Sequence, residues 1–366
     1  MNNGWKTINL GDLCDFEGGS QPPKSQFVYQ EKPGYVRFLQ IRDFASDKNI
    51  TFIPKSKKNR LCEESDILIG RYGASVGKIL TGKAGAYNVA LMKTIPDLSV
   101  LKHAWFYYYL ISEEFQSHLS NIADRSAQNG FSKEDIYIFP FPVPPLPEQQ
   151  RIVGILDEAF DGIATAKANA EKNVQNARAL FESYLQSVFT RRGDGWEETT
   201  IGAQITLQRG FDITKDQQRP GTVPVVSSGG IKSFHDTATV QAPGVVLGRK
   251  GTLGKVFYLE TDFWPHDTTL WVKDFKGNEP RFVYHFLTAL DVTKLNSGAA
   301  NPALNRNQVH PIATSWPPVD CQRRIATTLD SLADQIESVE SIYQRKLAAL
   351  EELKKSLLHQ AFSGQL

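Results

Sequence analysis

The chain states one pattern twice. The stretch PPLPEQQRIVGILD, from Pro144 to Asp157, returns as PPVDCQRRIATTLD, from Pro317 to Asp330. The offset is 317 − 144 = 173, and it holds without a gap to the last residues. Asp161 falls on Asp334, Ile163 on Ile336, Leu180 on Leu353, Leu185 on Leu358 and Phe189 on Phe362. A fixed offset over roughly forty residues marks a duplicated unit. The fronts of the two halves repeat more loosely. Trp5-Lys-Thr-Ile-Asn-Leu-Gly resembles Trp196-Glu-Glu-Thr-Thr-Ile-Gly, and Gly70-Arg-Tyr-Gly-Ala-Ser-Val-Gly-Lys78 resembles Gly248-Arg-Lys-Gly-Thr-Leu-Gly-Lys255. The expected order is a variable globule over 1–147, a repeated helix over 148–192, a second globule over 193–318 and a second helix over 319–366. Two similar halves put two similar surfaces in one molecule, which suits a target with two separated elements.

At 366 residues the chain can build two or three domains with real cores. Its 41% hydrophobic content is ordinary for a globular protein. The start, MNNGWKTINLGDL, has no basic segment followed by an apolar run, and no stretch is apolar enough to span a membrane. Cys14, Cys62 and Cys321 lie too far apart for metal-ligand spacing or a disulfide framework, so the expectation is reduced thiols in a cytoplasmic protein with no metal. Net charge is +1, and both globules are close to balanced, with 17 basic and 15 acidic residues in 1–147 and 12 of each in 193–318. Such a balance does not announce a nucleic-acid binder. Any such site must be a local patch, or share its electrostatics with a partner.

Prolines 142 to 147 exclude a helix interior and lead extended into a helix start; Pro147 suits its first turn, and Asp320 is the N-cap expected for the second copy. Beyond these points apolar residues recur every three or four positions. The first copy carries Ile152, Leu156, Ala159, Ile163, Ala166, Ala170, Val174, Ala177, Leu180 and Tyr184. The second carries Ile325, Leu329, Leu332, Ile336, Val339, Tyr343, Leu347, Leu350, Leu353 and Leu357. Each stripe predicts an amphipathic helix of roughly forty residues, about 60 Å long. The stripes differ: alanines at 159, 166, 170 and 177 stand where the other copy has Leu332, Val339, Tyr343 and Leu350. Small residues on one and large on the other suit a seam between the copies, and antiparallel packing fits best because the second helix can return along the first. Two helices lying separately on their own globules are the alternative.

The globules read as mixed α and β. Asp66–Gly70 and Pro243–Gly248 are short apolar runs ending in glycine, hence strands running into turns. Ala104–Ile111 and Arg281–Leu287 are aromatic and predict short helices facing a core, although aromatics can also stack on bases. The Gly70–Lys78 segment is not a P-loop. That motif needs glycine where Tyr72 stands and Ser or Thr where Ile79 stands, and Arg249 and Val256 fail in the same places. A tight loop between strands is the better reading. It leaves Arg71, Tyr72, Ser75 and Lys78, and likewise Arg249, Lys250, Thr252 and Lys255, to point outward towards phosphates or base edges, or merely to hold strand register. Lys55, Lys57 and Lys58 form the densest basic run, which also suits a solvated loop. Gln128 and Asn129, paired with Asn301 and Asn305 in the other half, can read adenine, but such residues are also common in turns.

No catalytic constellation appears. HExxH and Gly-x-Ser-x-Gly are absent, and the Pro-Pro pairs are followed by Lys, Leu and Val rather than the aromatic residue an amino-methyltransferase needs. No glycine-rich segment opens a convincing dinucleotide or S-adenosylmethionine fold. A free-standing enzyme is therefore the weakest reading.

Taken together, these features resemble the specificity subunit of type I restriction–modification systems along the whole chain. The duplicated PPLPEQQRIVGILD and PPVDCQRRIATTLD, the paired Gly-Arg segments and the Trp5 and Trp196 starts carry the likeness. It implies two target recognition domains that read halves of a bipartite, asymmetric double-stranded DNA site. It also implies two long helices packed as an antiparallel coiled coil that fixes the spacing. Over Ile152–Val188 and Ile325–Leu357 those helices would also dock two methyltransferase subunits. Restriction subunits would complete the complex. S-adenosylmethionine, ATP and Mg2+ would then sit on partner subunits, and none on this chain. Two other readings stay open: a specificity module of a related phage-defence methyltransferase without a restriction subunit, and a coiled-coil scaffold that binds no nucleic acid.

Overall fold

A computed structural model describes residues 4–123, 130–191, 193–292 and 303–366. The chain forms two compact units: Met1–Asn169 with Lys346–Leu366, and Ala170–Arg345. Each unit is built from one globule, the beginning of one long helix and the end of the other.

The two globules share a plan. In the first, a four-stranded antiparallel sheet runs in the order Cys14–Gly18, Leu91–Pro96, Leu68–Gly70, Ile79–Leu80. The second has Thr206–Arg209, Thr269–Asp274, Gly244–Gly248 and Val256–Leu259 in the same order. A further sheet in each contains one parallel pair, Tyr35–Leu39 with Gly85–Tyr87 and Val223–Ser227 with Trp264–Pro265. A two-stranded ribbon leads into each long helix. Lys6–Asn9 pairs with Pro140–Val143, and Glu197–Thr200 pairs with Ala313–Trp316. Pro140 and Pro142 alternate along their strand, so both missing N–H groups fall on the side away from the partner.

The aromatic helices are His103–Leu110 and Pro280–Ala289. They face cores, not solvent: Trp105, Phe106, Tyr109 and Leu110 are buried in the first, and Phe282, Val283 and Leu287 in the second. Each core takes one phenylalanine from the far end of a long helix. Phe362 lies 4.4 Å from Trp105 between ring centres, and Phe189 lies 5.5 Å from Phe286. These two phenylalanines are related by the 173-residue offset.

Two buried glutamines, again at that offset, fix each long helix to its globule. Gln149 accepts the Lys102 N–H (2.7 Å) and donates to the carbonyls of Val100 (2.9 Å) and Pro144 (2.8 Å). Gln322 accepts the Glu279 N–H (2.9 Å) and donates to Asn278 Oδ1 (2.8 Å) and the Pro317 carbonyl (2.9 Å). Lys102 and Glu279 are the N-caps of the aromatic helices. One amide therefore satisfies an orphan helix N–H and closes the proline turn. Asp157 and Asp330 add a second tie: Tyr108 donates its hydroxyl to Asp157, and His285 Nε2 meets Asp330 at 2.7 Å.

The long helices span Leu146–Thr190 and Val319–Ser363. Asp320 is thus inside the second helix, one residue past its start, and not its N-cap. They run antiparallel. Within the second unit Asn173 donates to Tyr343 and Arg178 makes a forked pair with Glu340; within the first, Lys167 pairs with Glu351 and Lys354 lies over Phe160. Partner numbers fall on one helix as they rise on the other.

The expected seam residues divide into three groups. Ile152 and Leu156 are buried in the first globule's core, beside Leu358 and Phe362. Leu329 is buried with Leu185 and Ala289, and Ile325 packs half-buried against the same cluster. The mid-helix positions form the remainder. Ile163 and Ala170 are buried, while Ala159, Ala177, Leu332, Ile336, Tyr343 and Leu350 are half-buried. Leu180 and Leu353, the same position in the two copies, stay 63% and 47% exposed despite lying on the stripe.

Candidate nucleic-acid interface

The glycine segments are hairpin loops whose shape is forced by their own backbone. Gly70 accepts no side chain, because a Cβ there would sit 2.1 Å from the Ser75 carbonyl oxygen. Gly248 would meet Thr252 at the same 2.1 Å. Gly73 and Gly77 hold φ of 56° and 78°, and Gly251 and Gly254 hold 77° and 78°, in the left-handed region that glycine occupies without strain. The closing bonds also repeat: Gly77 N–H to the Gly70 carbonyl and Gly254 N–H to the Gly248 carbonyl, each 3.0 Å.

The segment preceding each proline run lies against this loop. Tyr72 bridges to Gly130, Lys250 bridges to Ala303, and the Leu304 N–H reaches the Arg249 carbonyl at 2.9 Å. Two motifs far apart in sequence thus form one surface in each globule. Gln128, Asn129 and Asn301 lie outside the described residues. Asn305 is exposed and caps the short helix Arg306–Val309, accepting from the Asn307 N–H at 3.0 Å. Lys78, Lys250, Thr252 and Lys255 are exposed, whereas Tyr72 and Ser75 are half-buried. Lys255 also lies over Phe257.

Arg71 and Arg249 take matching places. The Arg71 N–H donates to the Ala90 carbonyl and the Arg249 N–H to the Thr268 carbonyl, both at 2.9 Å. Both side chains are half-buried. Arg71 donates from Nε and Nη2 to the Phe131 carbonyl (3.4 Å each), and Arg249 from Nη1 to the Asp267 carbonyl (3.1 Å). Burial and the neighbouring Arg209 pull the Arg249 pKa down, although Asp267 opposes them.

In the second globule this surface deepens into a cleft of about 890 Å³, lined by Arg209, Phe211, Arg249, Trp264, Asn305 and Arg306 among others. Three arginines and two aromatic rings in one cleft suit a polyanion with planar bases. Sequence reasoning did not single out Arg209, Phe211, Trp264 or Arg306. No sequence repeat marks them; the correspondence is structural, because Gly210 packs its backbone against His266 as Gly19 packs against Asn88, which makes Arg209-Gly-Phe211 the counterpart of Gly18-Gly-Ser20. Asp212, His266 and Asp267 bring ligand atoms within 4.8 Å of one another. Two of the three are engaged: Asp267 Oδ2 holds Arg209 at 2.8 Å, and His266 Nδ1 accepts the Thr268 N–H at 3.3 Å. Asp267 anchors Arg209.

The first globule is arranged differently. Lys55, Lys57 and Lys58 are exposed in the loop between Phe52–Pro54 and Leu61–Cys62, and Lys55 and Lys57 rim a hollow of about 380 Å³. Nearby, Glu17 receives Arg60 at 2.7 Å and the Tyr87 hydroxyl at 3.0 Å. The basic run is therefore a presented surface, with Glu17 the acidic group closest in kind to Gln208 of the other half.

The comparisons with known proteins decide the family. A model of the type I restriction modification DNA specificity domain matches residues 2–175 and again residues 193–345. The chain belongs to that family. It is 25% identical over 223 residues to the type I restriction enzyme MjaVIII specificity subunit of Methanocaldococcus jannaschii, a match covering 56% of this chain and 50% of that protein. It is 22% identical over 272 residues to the EcoprrI specificity subunit of Escherichia coli, covering 70% and 67%. The chain thus aligns with half the length of the first of these relatives. Among solved structures, one from work on complex assembly and conformational transition of the type I R-M system superposes with TM-score 0.83 at 15% identity, over 100% of this chain and 99% of that one. The HsdS subunit from Thermoanaerobacter tengcongensis gives TM-score 0.61 at 16% identity, covering 100% and 98%. Both share the fold.

Proposed function

We propose that this chain is the sequence-reading, non-catalytic subunit of a type I restriction–modification complex. Its globules, 1–147 and 193–318, act as target recognition domains for the two halves of one asymmetric DNA site, and segments 148–192 and 319–366 act as the spacer between them. The observation that carries this is the repeated loop surface: the same glycine hairpin presents Arg71 with Lys78 in one globule and Arg249 with Lys255 in the other. Around that shared hairpin the side chains differ, with Glu17, Arg60 and Lys55–Lys58 in one globule and Gln208, Arg209, Phe211 and Arg306 in the other. A common frame with different lining is what reading two unlike half-sites requires.

Two methyltransferase subunits would dock on the long helices. The equivalent exposed leucines Leu180 and Leu353 support that, since an unburied leucine at the same position of both copies is apolar area for a partner to cover. Restriction subunits join the same assembly, and S-adenosylmethionine, ATP and Mg2+ belong to those partners. The setting is cytoplasmic; among the described residues no helix is long and apolar enough to cross a membrane.

The test is a methyladenine map of the host genome. A bipartite methylated motif that vanishes on deletion of this gene supports the role and supplies the target. Persistence of every motif after deletion, in cells making the partner methyltransferase, refutes it.

A further inference from the structure

The internal repeat allows one surface to be compared with itself. Where two recognition globules meet different bases, a contact that both make in the same way must serve something both half-sites share. The sugar–phosphate backbone is shared by every sequence; a base edge is not.

We infer that Arg71 and Arg249 are paired phosphate anchors, one per globule, which set the register of the protein on DNA and carry no base preference. The inference rests on the reading of the globules as DNA-binding. Four observations support it. The two arginines occupy one position of one loop, with backbone N–H bonds of 2.9 Å to matching carbonyls. The loop around them admits no Cβ at Gly70 or Gly248, so each arginine leaves the sheet at a fixed point. Each guanidinium is steadied by a backbone carbonyl and not by a carboxylate, and among the described residues neither makes an ion pair within 4.0 Å. The carboxylate that bears on Arg249, Asp267, gives its Oδ2 to Arg209.

The physical consequence follows. A half-buried guanidinium has lost part of its hydration and has no counter-ion to replace it, which is unfavourable until an anion arrives. Of five N–H donors, Arg71 uses two on the Phe131 carbonyl and Arg249 uses one on Asp267. The rest can fork onto two phosphate oxygens. The neighbours tell the opposite story. Gly18 and Ser20 in one globule correspond to Arg209 and Phe211 in the other, and a position that changes between halves is free to read sequence.

The experiment uses the full chain assembled with its methyltransferase subunits and a pool of duplexes with randomised half-sites, followed by anisotropy across a salt series and by sequencing of the bound fraction. R71Q and R249Q are compared with R209Q, with R71K and R249K as charge-retaining controls, and the melting temperature of each is recorded. The expected result is that R71Q and R249Q each weaken binding about tenfold. Each also lowers the slope of log affinity against log salt by about 0.9, and the double variant by about twice that. The enriched motif stays the same, and the lysine variants restore most of the slope. Loss of preference at one base position in R71Q or R249Q would assign that arginine to base reading and overturn the inference. Unchanged affinity and slope, or a lowered melting temperature with unchanged slope, would overturn it in favour of a structural role. A folded wild-type complex that binds no duplex would instead bring down the DNA-binding reading itself.

Discussion

Gln149 and Gln322 show what a single side chain contributes to this architecture. Each is essentially buried, at 0% and 1% exposure, and each joins an orphan N–H of an aromatic helix to one carbonyl of the proline turn. Removing the amide leaves that N–H and that carbonyl buried without partners, at a cost of about 1–3 kcal/mol for each unsatisfied group. Gln322→Ala should therefore lower the urea midpoint of the second globule by an amount equivalent to about 3 kcal/mol. A shift equivalent to less than about 1 kcal/mol would show that water replaces the amide. The sequence held a hint of this clamp, because glutamine recurs at the same offset as the apolar stripe. Its partners on the aromatic helix could not be read, since they come from segments 43 or more residues away in chain order and share no pattern with it.

Histidines give the same scale a pH dependence. His285 is 2% exposed, and burial pulls its pKa below the ordinary 6.5 even though Asp330 pulls the other way and Arg281 adds to the lowering. Burial also lowers His310, helped by Arg306 and Lys276; its Nε2 accepts the Leu207 N–H at 3.0 Å, which requires the neutral ring. Above about pH 6.5 both states are neutral and nothing is lost. As pH falls below that, the unfolded chain binds protons that the folded chain resists, so stability drops. The wild type should lose more stability between pH 7.5 and pH 5.5 than His310→Gln does. Parallel curves for the two proteins would remove His310 from the account.

At the level of elements, the long helices were legible because a stripe repeated every three or four residues has one physical meaning. The asymmetry of alanine against leucine and tyrosine pointed to contact between copies, and the pairs Asn173–Tyr343 and Arg178–Glu340 lie where antiparallel packing puts them. Periodicity says which residues share a face. It does not say what covers the face. Ile152 and Leu156 went to a globule core, and Leu180 and Leu353 went to solvent, although all four fit the stripe. The glycine loops were legible in a different way, by excluding a P-loop and leaving a strand-to-strand turn. Their association with the segments at Gly130 and Ala303 was not, because an isolated bridge leaves no trace in composition. Direction within each unit can be tested chemically. In a C321S background, since Cys321 is half-buried while Cys14 and Cys62 are buried with pKa values pushed up to about 12 and about 11, cysteines at 178 and 340 should join through a short bismaleimide. The pair 167 and 351 should behave alike. Failure of both pairs, in a chain whose helix content is intact, would contradict the antiparallel register.

For the whole molecule, the repeat makes the position of the chain ends a physical question. The first globule is not closed by its own sequence. Its core needs Leu358, Ala361 and Phe362 from the last turns of the chain, and Phe362 and Trp5 both lie against Trp105, at 4.4 and 5.9 Å between ring centres. The Arg151 guanidinium reaches the Leu366 carbonyl at 2.7 Å, so the last residue is held beside the start of the first long helix. The second globule uses Phe189 in the same role, only seven residues ahead of Trp196. Phe362 and Trp5 thus meet around Trp105 as the counterparts of Phe189 and Trp196, which a short connection already joins. A permutant that begins at Gly193, with a short Gly-Ser linker from Leu366 to Met1, keeps every helix and sheet intact and moves the break to the equivalent place. It should fold with native helix content, melt within a few degrees of the parent and bind the same duplex. A soluble permutant that fails to bind would mean that the two junctions are not equivalent.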